Sequence, residues 1–216
     1  MLLWYIDHCS NAEFLFKTDD DIYFHIPNVI KWLKIVKSGK KQYNNTIFCR
    51  QNISRKILRN ANSKDLFLYS SFGRTNDKQL IERSRKKFEK YVVEYKQLPG
   101  NLYPEYCSGF GYAMSKNAAQ KLFDSSETIP YIGIEDVFIT GFCREKMNIT
   151  ITDTILFSLN PTILPIESRC IFDQGRITSN ELSNHEMKIM WTHINTKGYY
   201  CKFSNITNIT NDHNHV

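Results

Sequence analysis

At 216 residues the chain is long enough for one domain with a true hydrophobic core, or one and part of another. Hydrophobic residues make up 42% and charged residues 23%, which excludes wholesale disorder, and no stretch approaches the roughly 18 apolar residues of a membrane span. The formal net charge of +6 suits anionic partners such as nucleotides, nucleic acid or acidic glycans, but much of it lies between Lys78 and Lys96, which reads as a solvated helix face.

In chain order, Met1 to Ile6 is apolar but too short for a signal peptide, and Asp7 ends it; a secretory chain would carry its targeting segment elsewhere. Phe14 to Thr18 reads as a buried strand that delivers Asp19, Asp20 and Asp21 to a loop at its C-terminal end. Ile26, Val29, Ile30, Leu33 and Val36 recur at helical spacing, with Pro27 in the first turn and Gly39 as the stop. Thr46 to Arg50 is a short strand. Residues 51 to 87 are polar and basic, with a helix expected from Asp77 to Glu89, and Tyr91 to Tyr95 reads as a strand before a loop marked by Pro99-Gly100 and Tyr103-Pro104.

Ser115 is placed to cap a helix running to Ser125, with Ala118, Ala119, Leu122 and Phe123 inward. Glu135 and Asp136 open a helix to Met147, where acidic residues suit the helix dipole. Ile149 to Thr152 and Ile155 to Leu159 read as strands. Ser183 to Glu186 is a capping box before a helix whose Met187, Met190, Trp191 and Ile194 share a face. Strands and helices alternate, so the expected class is α/β.

The six cysteines (Cys9, Cys49, Cys107, Cys143, Cys170 and Cys201) form no C-x-x-C pair, which argues against a zinc ribbon or thioredoxin-type site. Their even number and wide spacing suit disulfides in an oxidising compartment, with the pairing open. Glycosylation sequons at Asn44, Asn52, Asn148, Asn205 and Asn208 point the same way.

Three segments carry candidate chemistry. Three adjacent carboxylates repel one another unless a cation joins them, and at a strand end they make a hard-oxygen site for Mg²⁺ or Mn²⁺; the bland alternative is an exposed acidic turn. In Tyr103-Pro-Glu-Tyr-Cys-Ser-Gly-Phe-Gly-Tyr112, two glycines one residue apart let backbone approach a ligand and the flanking aromatics can stack on a sugar; the alternative is a packed turn. Glu135-Asp136 offers a general base, or only a helix start.

In this order the three segments resemble glycosyltransferase family 31, the β-1,3-galactosyl- and β-1,3-N-acetylglucosaminyltransferases. The residues that carry the resemblance are Trp4 and Cys9 ahead of Lys17-Thr-Asp-Asp-Asp-Ile22, the segment from Tyr103 to Tyr112 with Ser115, Ile134-Glu-Asp-Val-Phe-Ile-Thr-Gly141 with Cys143, and Ser183 to Trp191. The resemblance implies a GT-A type nucleotide-sugar transferase fold, partial over residues 1–202 because the N-terminal part of the nucleotide-binding sheet is not among these residues. Residues 51–87 form an insert without a functional reading, and 203–216 a polar tail.

It implies inverting transfer of galactose or N-acetylglucosamine from UDP-galactose or UDP-N-acetylglucosamine to a glycan acceptor on glycoprotein or glycolipid, in the Golgi lumen, with no nucleic-acid partner. Asp19 and Asp21 would hold Mn²⁺ (or Mg²⁺). Asn180 would be the third ligand, standing where the family usually has a histidine and offering a poorer donor. Asp136, or else Glu135, would be the base, and Lys17, Asp20, Tyr106, Ser108, Gly109, Gly111 and Tyr112 would line the donor and acceptor sites. The alternatives are an inactive homologue that binds glycans or a protein partner, and a two-metal phosphoryl-transfer or nuclease domain suggested by the acidic triplet and the basic charge.

Overall fold

The structure, a computed structural model, describes residues 1–9, 11–39, 43–60, 82, 85–86, 88–157, 172–179 and 182–196. Its centre is a four-stranded sheet of β1 (Phe14–Thr18), β3 (Thr46–Asn52), β4 (Tyr106–Ser115) and β5 (Thr150–Asp153), in the order β1-β4-β3-β5. β4 runs antiparallel to both neighbours, and β3 and β5 are parallel. A separate pair joins β2 (Tyr23–Phe24) to β6 (Thr178–Ser179). The mixed sheet agrees with an α/β class, and antiparallel pairing dominates it.

Each face of the sheet is covered. On one side lie α1 (Leu2–His8), α3 (Lys116–Ser126) and a π-helix (Val137–Cys143) that continues as α4 (Arg144–Lys146). There Leu2, Tyr5, Ala118, Ala119, Leu122 and Val137 pack on Ile47, Tyr112 and Met114. Ser115 caps α3 as expected, its hydroxyl accepting from the Ala118 N–H at 3.3 Å. On the other side α2 (Ile26–Ser38) buries Trp32 edge-on against Phe48 at 5.0 Å, Phe157 at 5.9 Å and Phe16 at 6.0 Å between ring centroids. α5 (Asn184–Asn195) closes a small third cluster of Tyr23, Phe172, Leu182 and Met190. Its capping box forms, with the Ser183 N–H donating to Glu186 at 2.7 Å.

Four expectations are corrected. The α2 face turns by about one residue: Asn28, Val29, Trp32 and Val36 are buried while Ile26 and Ile30 are 54% and 49% exposed. Trp32 offers more apolar area than Ile30, and the Asn28 amide is drawn inward to donate to the carbonyls of Phe172 at 2.6 Å and Arg176 at 2.7 Å. Tyr91 to Tyr95 is no strand, because the Arg59 guanidinium takes the carbonyls of Val93 and Leu98 and leaves, among the described residues, one ladder-like bond from Val93 N–H to the Leu58 carbonyl. Ile155 to Phe157 is a turn that tucks Phe157 under Trp32; Ser158 and Leu159 lie outside the described residues. Trp191 is 62% exposed, off the α5 face that Met190 buries.

The helix expected over Asp77–Glu89 lies mostly outside the described residues, and Glu82, Arg85, Lys86, Phe88 and Glu89 are helical. Among the described residues no helix is long and apolar enough to cross a membrane.

A disulfide links Cys49 on β3 to Cys107 on β4, 58 residues apart in sequence, and so closes the loop that contains the 51–87 insert. Cys9 and Cys143 are free thiols, and Cys170 and Cys201 lie outside the described residues. A cross-link over a loop of this length removes much of the unfolded chain's freedom. Replacing both partners by alanine is expected to cost about 2–5 kcal/mol, read as a fall in the denaturant midpoint. An unchanged midpoint would contradict the assignment.

Candidate active site

The C-terminal ends of β1, β3 and β5 and the N-terminal half of β4 meet at one end of the sheet. There β1 sets Lys17 opposite Tyr112 and Thr18 opposite Gly111. The Lys17 ammonium, on a side chain only 17% exposed, lies 2.6 Å from Asp19 Oδ1 and 3.6 Å from Glu135 Oε2. It also donates to the Gly109 carbonyl and rests 5.8 Å from the centre of the Tyr112 ring. One cation therefore ties the acidic turn after β1 to the acidic pair that opens the π-helix.

The register of β4 explains how Asp136 joins them. From Cys49 to Gln51 β3 advances two residues, while its partners on β4 run five, from Tyr112 to Cys107. The surplus is a bulge over Ser108–Gly111, the type of feature that re-aims groups beside active sites. It turns the Gly109 N–H onto Asp136 Oδ2 at 3.0 Å, while Oδ1 accepts from the Val137 N–H at 2.9 Å. A Cβ on Gly109 would stand 3.1 Å from that oxygen and 3.3 Å from the Asp136 Cβ, so glycine permits the approach.

Burial pushes the Asp136 carboxyl up to about 6 from the usual 3.8. Neighbouring Glu135 adds to the rise, and the two backbone donors and Lys17 oppose it. Glu135 is exposed and accepts from the Tyr112 hydroxyl at 2.6 Å. Burial, with the charge of Glu135 next, raises the Tyr112 phenol well above its ordinary value, so it remains a donor.

Of the predicted site residues, Lys17, Asp19, Gly109, Tyr112, Glu135 and Asp136 are thus in one network. Tyr112 is fully buried, which puts it beneath the site as the support of Glu135 and offers no ring face for a sugar. Gly111 faces inward too: a Cβ there would meet Thr178 at 3.2 Å and Phe157 at 3.6 Å. Ser108 accepts from the Asn52 amide at 2.6 Å, and Tyr106 packs edge-on to Tyr103 with centroids 6.0 Å apart.

Asp19, Asp20 and Asp21 are exposed on the turn after β1, and Asp20 and Asp21 have no ion-pair partner among the described residues. Asn180 lies outside the described residues, and among those described no three His, Cys, Asp or Glu side chains gather as a metal cage. Asp21 is unpaired and Asp19 meets Lys17 through Oδ1, so on this exposed turn the two can still offer hard oxygens to a Mg²⁺ or Mn²⁺ ion, which uses one or two carboxylates and completes its shell with phosphate oxygens and water.

Thr140 and Asn52 are support residues whose role the sequence does not show: Asn52 reads there only as a sequon, and Thr140 only as part of the segment from Ile134 to Gly141. The buried Thr140 hydroxyl accepts from the Cys107 N–H at 2.8 Å and donates to the Asp136 carbonyl at 2.6 Å. It locks β4 to the turn that carries Asp136, and by taking a carbonyl from the helical ladder it accompanies the widening to a π-helix. Only a hydroxyl one turn beyond an acidic residue marks it in sequence, and that pattern is common.

The family model for galactosyltransferases matches residues 1–154. Beta-1,3-galactosyltransferase 5 of Homo sapiens is 26% identical over 162 residues, covering 75% of this chain and 41% of its own. Beta-1,3-galactosyltransferase 4 of Canis lupus familiaris is 27% identical over 209 residues, 88% of this chain and 50% of its own. Lactosylceramide 1,3-N-acetyl-beta-D-glucosaminyltransferase of Xenopus tropicalis is 29% identical over 147 residues, 68% of this chain and 31% of its own. The chain spans between about a third and a half of the length of these relatives.

The raised Asp136 carboxyl sets a sign for stability against pH. A folded-state value near 6, above an unfolded value of 3.8, contributes stability that is complete below the lower value and lost as pH rises through the upper one. With Asp136→Asn as the non-titrating reference, the wild-type melting midpoint is expected to fall relative to the variant between about pH 4 and 6, then run parallel to it. A difference that ignores pH would contradict the assignment.

Proposed function

The chain belongs to the galactosyltransferase family, and from that premise we propose that it acts in an inverting hexosyl transfer, moving galactose or N-acetylglucosamine from a UDP-sugar to a glycan hydroxyl in β-1,3 linkage. The observation that carries this reading is Asp136: a half-buried carboxylate with both oxygens fixed by backbone N–H groups and a pKa of about 6. Such a group is largely ionised near neutral pH and a stronger base than an ordinary aspartate, which suits it to accept the proton of an attacking hydroxyl. Glu135 has one oxygen on Tyr112 and the other facing Lys17, so it serves better as a fixed charge than as the base.

On this reading Asp136 takes the acceptor proton as the acceptor oxygen attacks the anomeric carbon from the face opposite UDP. Lys17 holds Asp19 and Glu135 in place. Asp19 and Asp21 would hold Mn²⁺ or Mg²⁺, with Asn180 as a third, weaker ligand. When bound, the cation neutralises the departing diphosphate. Asp20, Tyr106 and Ser108 would stand at the donor and acceptor walls. The Cys49–Cys107 disulfide supports an oxidising compartment, for which we propose the Golgi lumen.

The test is transfer of labelled sugar from UDP-galactose or UDP-N-acetylglucosamine to β-linked glycan acceptors. Asp136→Asn is expected to cost about 10²–10⁴-fold in kcat and to remove an acid limb near pH 6 from the pH profile. Asp21→Asn is expected to abolish transfer while leaving the melting midpoint intact. Full activity in either variant would overturn the role of the residue replaced.

A further inference from the structure

The sequons at Asn44 and Asn148 play no part in the proposed transfer chemistry, and the fold separates them from Asn52. Asn44 and Asn148 are both exposed, and neither side-chain amide has a hydrogen-bond partner among the described residues. They stand on adjoining turns: the Asn45 amide donates to the Asn148 carbonyl at 3.1 Å, and the Thr150 N–H donates to the Asn45 carbonyl at 3.1 Å. Asn148 has φ 49°, a left-handed conformation that asparagine tolerates better than most residues and that holds it clear of the sheet. Asn44 also lines an open cavity of about 530 Å³ with Tyr5, Tyr43, Lys116 and Gln120, so a sugar on its amide has room.

Asn52 is different. Its amide donates to Ser108 at 2.6 Å and its carbonyl oxygen accepts from Arg55 at 3.2 Å, on the bulge that carries Gly109. A glycan there would part β3 from β4 at the carboxylate network, three residues from the Cys49–Cys107 bond that draws the strands together.

We propose that Asn44 and Asn148 carry N-linked glycans and that Asn52 stays bare in the folded chain. The donor class is an oligosaccharide on a polyprenyl diphosphate, met in the secretory pathway. The amide Nδ2 bonds to the anomeric carbon, the bond from that carbon to the diphosphate oxygen breaks, the diphosphate leaves with the electron pair, and the amide proton passes to the base of the glycosylating enzyme. Thr46, the hydroxyl residue of the Asn44 sequon, is buried at the start of β3 beside Thr150 of β5, so transfer at Asn44 would precede closure of the sheet. Both glycans project from the end where β1, β3 and β5 begin, opposite the end that gathers Lys17, Asp19 and Asp136. They leave the proposed site open and cover the far rim.

The proposal rests on the lumenal reading only for where the chain travels in a cell. Its test therefore supplies a secretion leader to the full chain in a glycosylating eukaryotic host, with Asn205→Gln and Asn208→Gln to silence the tail. Peptide mass mapping after glycosidase treatment in heavy-oxygen water is expected to label residues 44 and 148 and leave residue 52 unlabelled. Asn44→Gln and Asn148→Gln are each expected to remove one glycan from the gel mobility. A bare Asn44 or Asn148, or a glycan on Asn52 in the soluble secreted chain, overturns the proposal, whatever the outcome of the transfer assays.

Discussion

The ammonium group of Lys17 holds the acidic end of this fold together. Asp19 comes from the turn after β1, Glu135 and Asp136 from the start of the π-helix, and all would repel one another without a shared cation. An exposed ion pair contributes little, about 0–1 kcal/mol, and Asp19 is nearly half exposed. The value of Lys17 lies in position instead. It is mostly buried, it also donates to the Gly109 carbonyl, and so it couples the charge arrangement to the bulge in β4. Moving Lys17 would disturb three segments that are far apart in sequence.

The bulge is the second constraint. Without the three surplus residues on β4, alternation would carry Gly109 to a different face and leave the Asp136 carboxylate without one of its two backbone donors. Half-buried Asp136 is then supported from three directions: Gly109 and Val137 on its carboxylate oxygens, and Thr140 on its backbone carbonyl. This arrangement raises its basicity through burial while the hydrogen bonds keep the ionised form tolerable.

What could be read from sequence divides along the range of the interactions. The bounds of β1 and of the Pro27 helix, the Ser115 cap and the Ser183–Glu186 box are local signals and match the structure closely, although β1, expected buried, is only partly so. The ten-residue strand β4 was hidden because its two glycines and its approach through Pro104 read as a turn, although glycines within a strand also mark close backbone approach. Trp32 displaced Ile30 from the α2 interface because Phe16, Phe48 and Phe157, from three distant segments, build its socket. Among site residues, the charged ones declared themselves by clustering in sequence. Thr140 and the buried station of Tyr112 depend on strand register and could not.

Everything proposed for this end of the sheet turns on whether it receives a nucleotide diphosphate through a cation held by Asp19 and Asp21. Calorimetric titration of UDP into the purified chain, with and without Mn²⁺, decides that point. Binding is expected to require Mn²⁺ and to disappear in Asp21→Asn. No binding, or binding that is the same without Mn²⁺ or in the variant, would refute the assignment of the acidic turn.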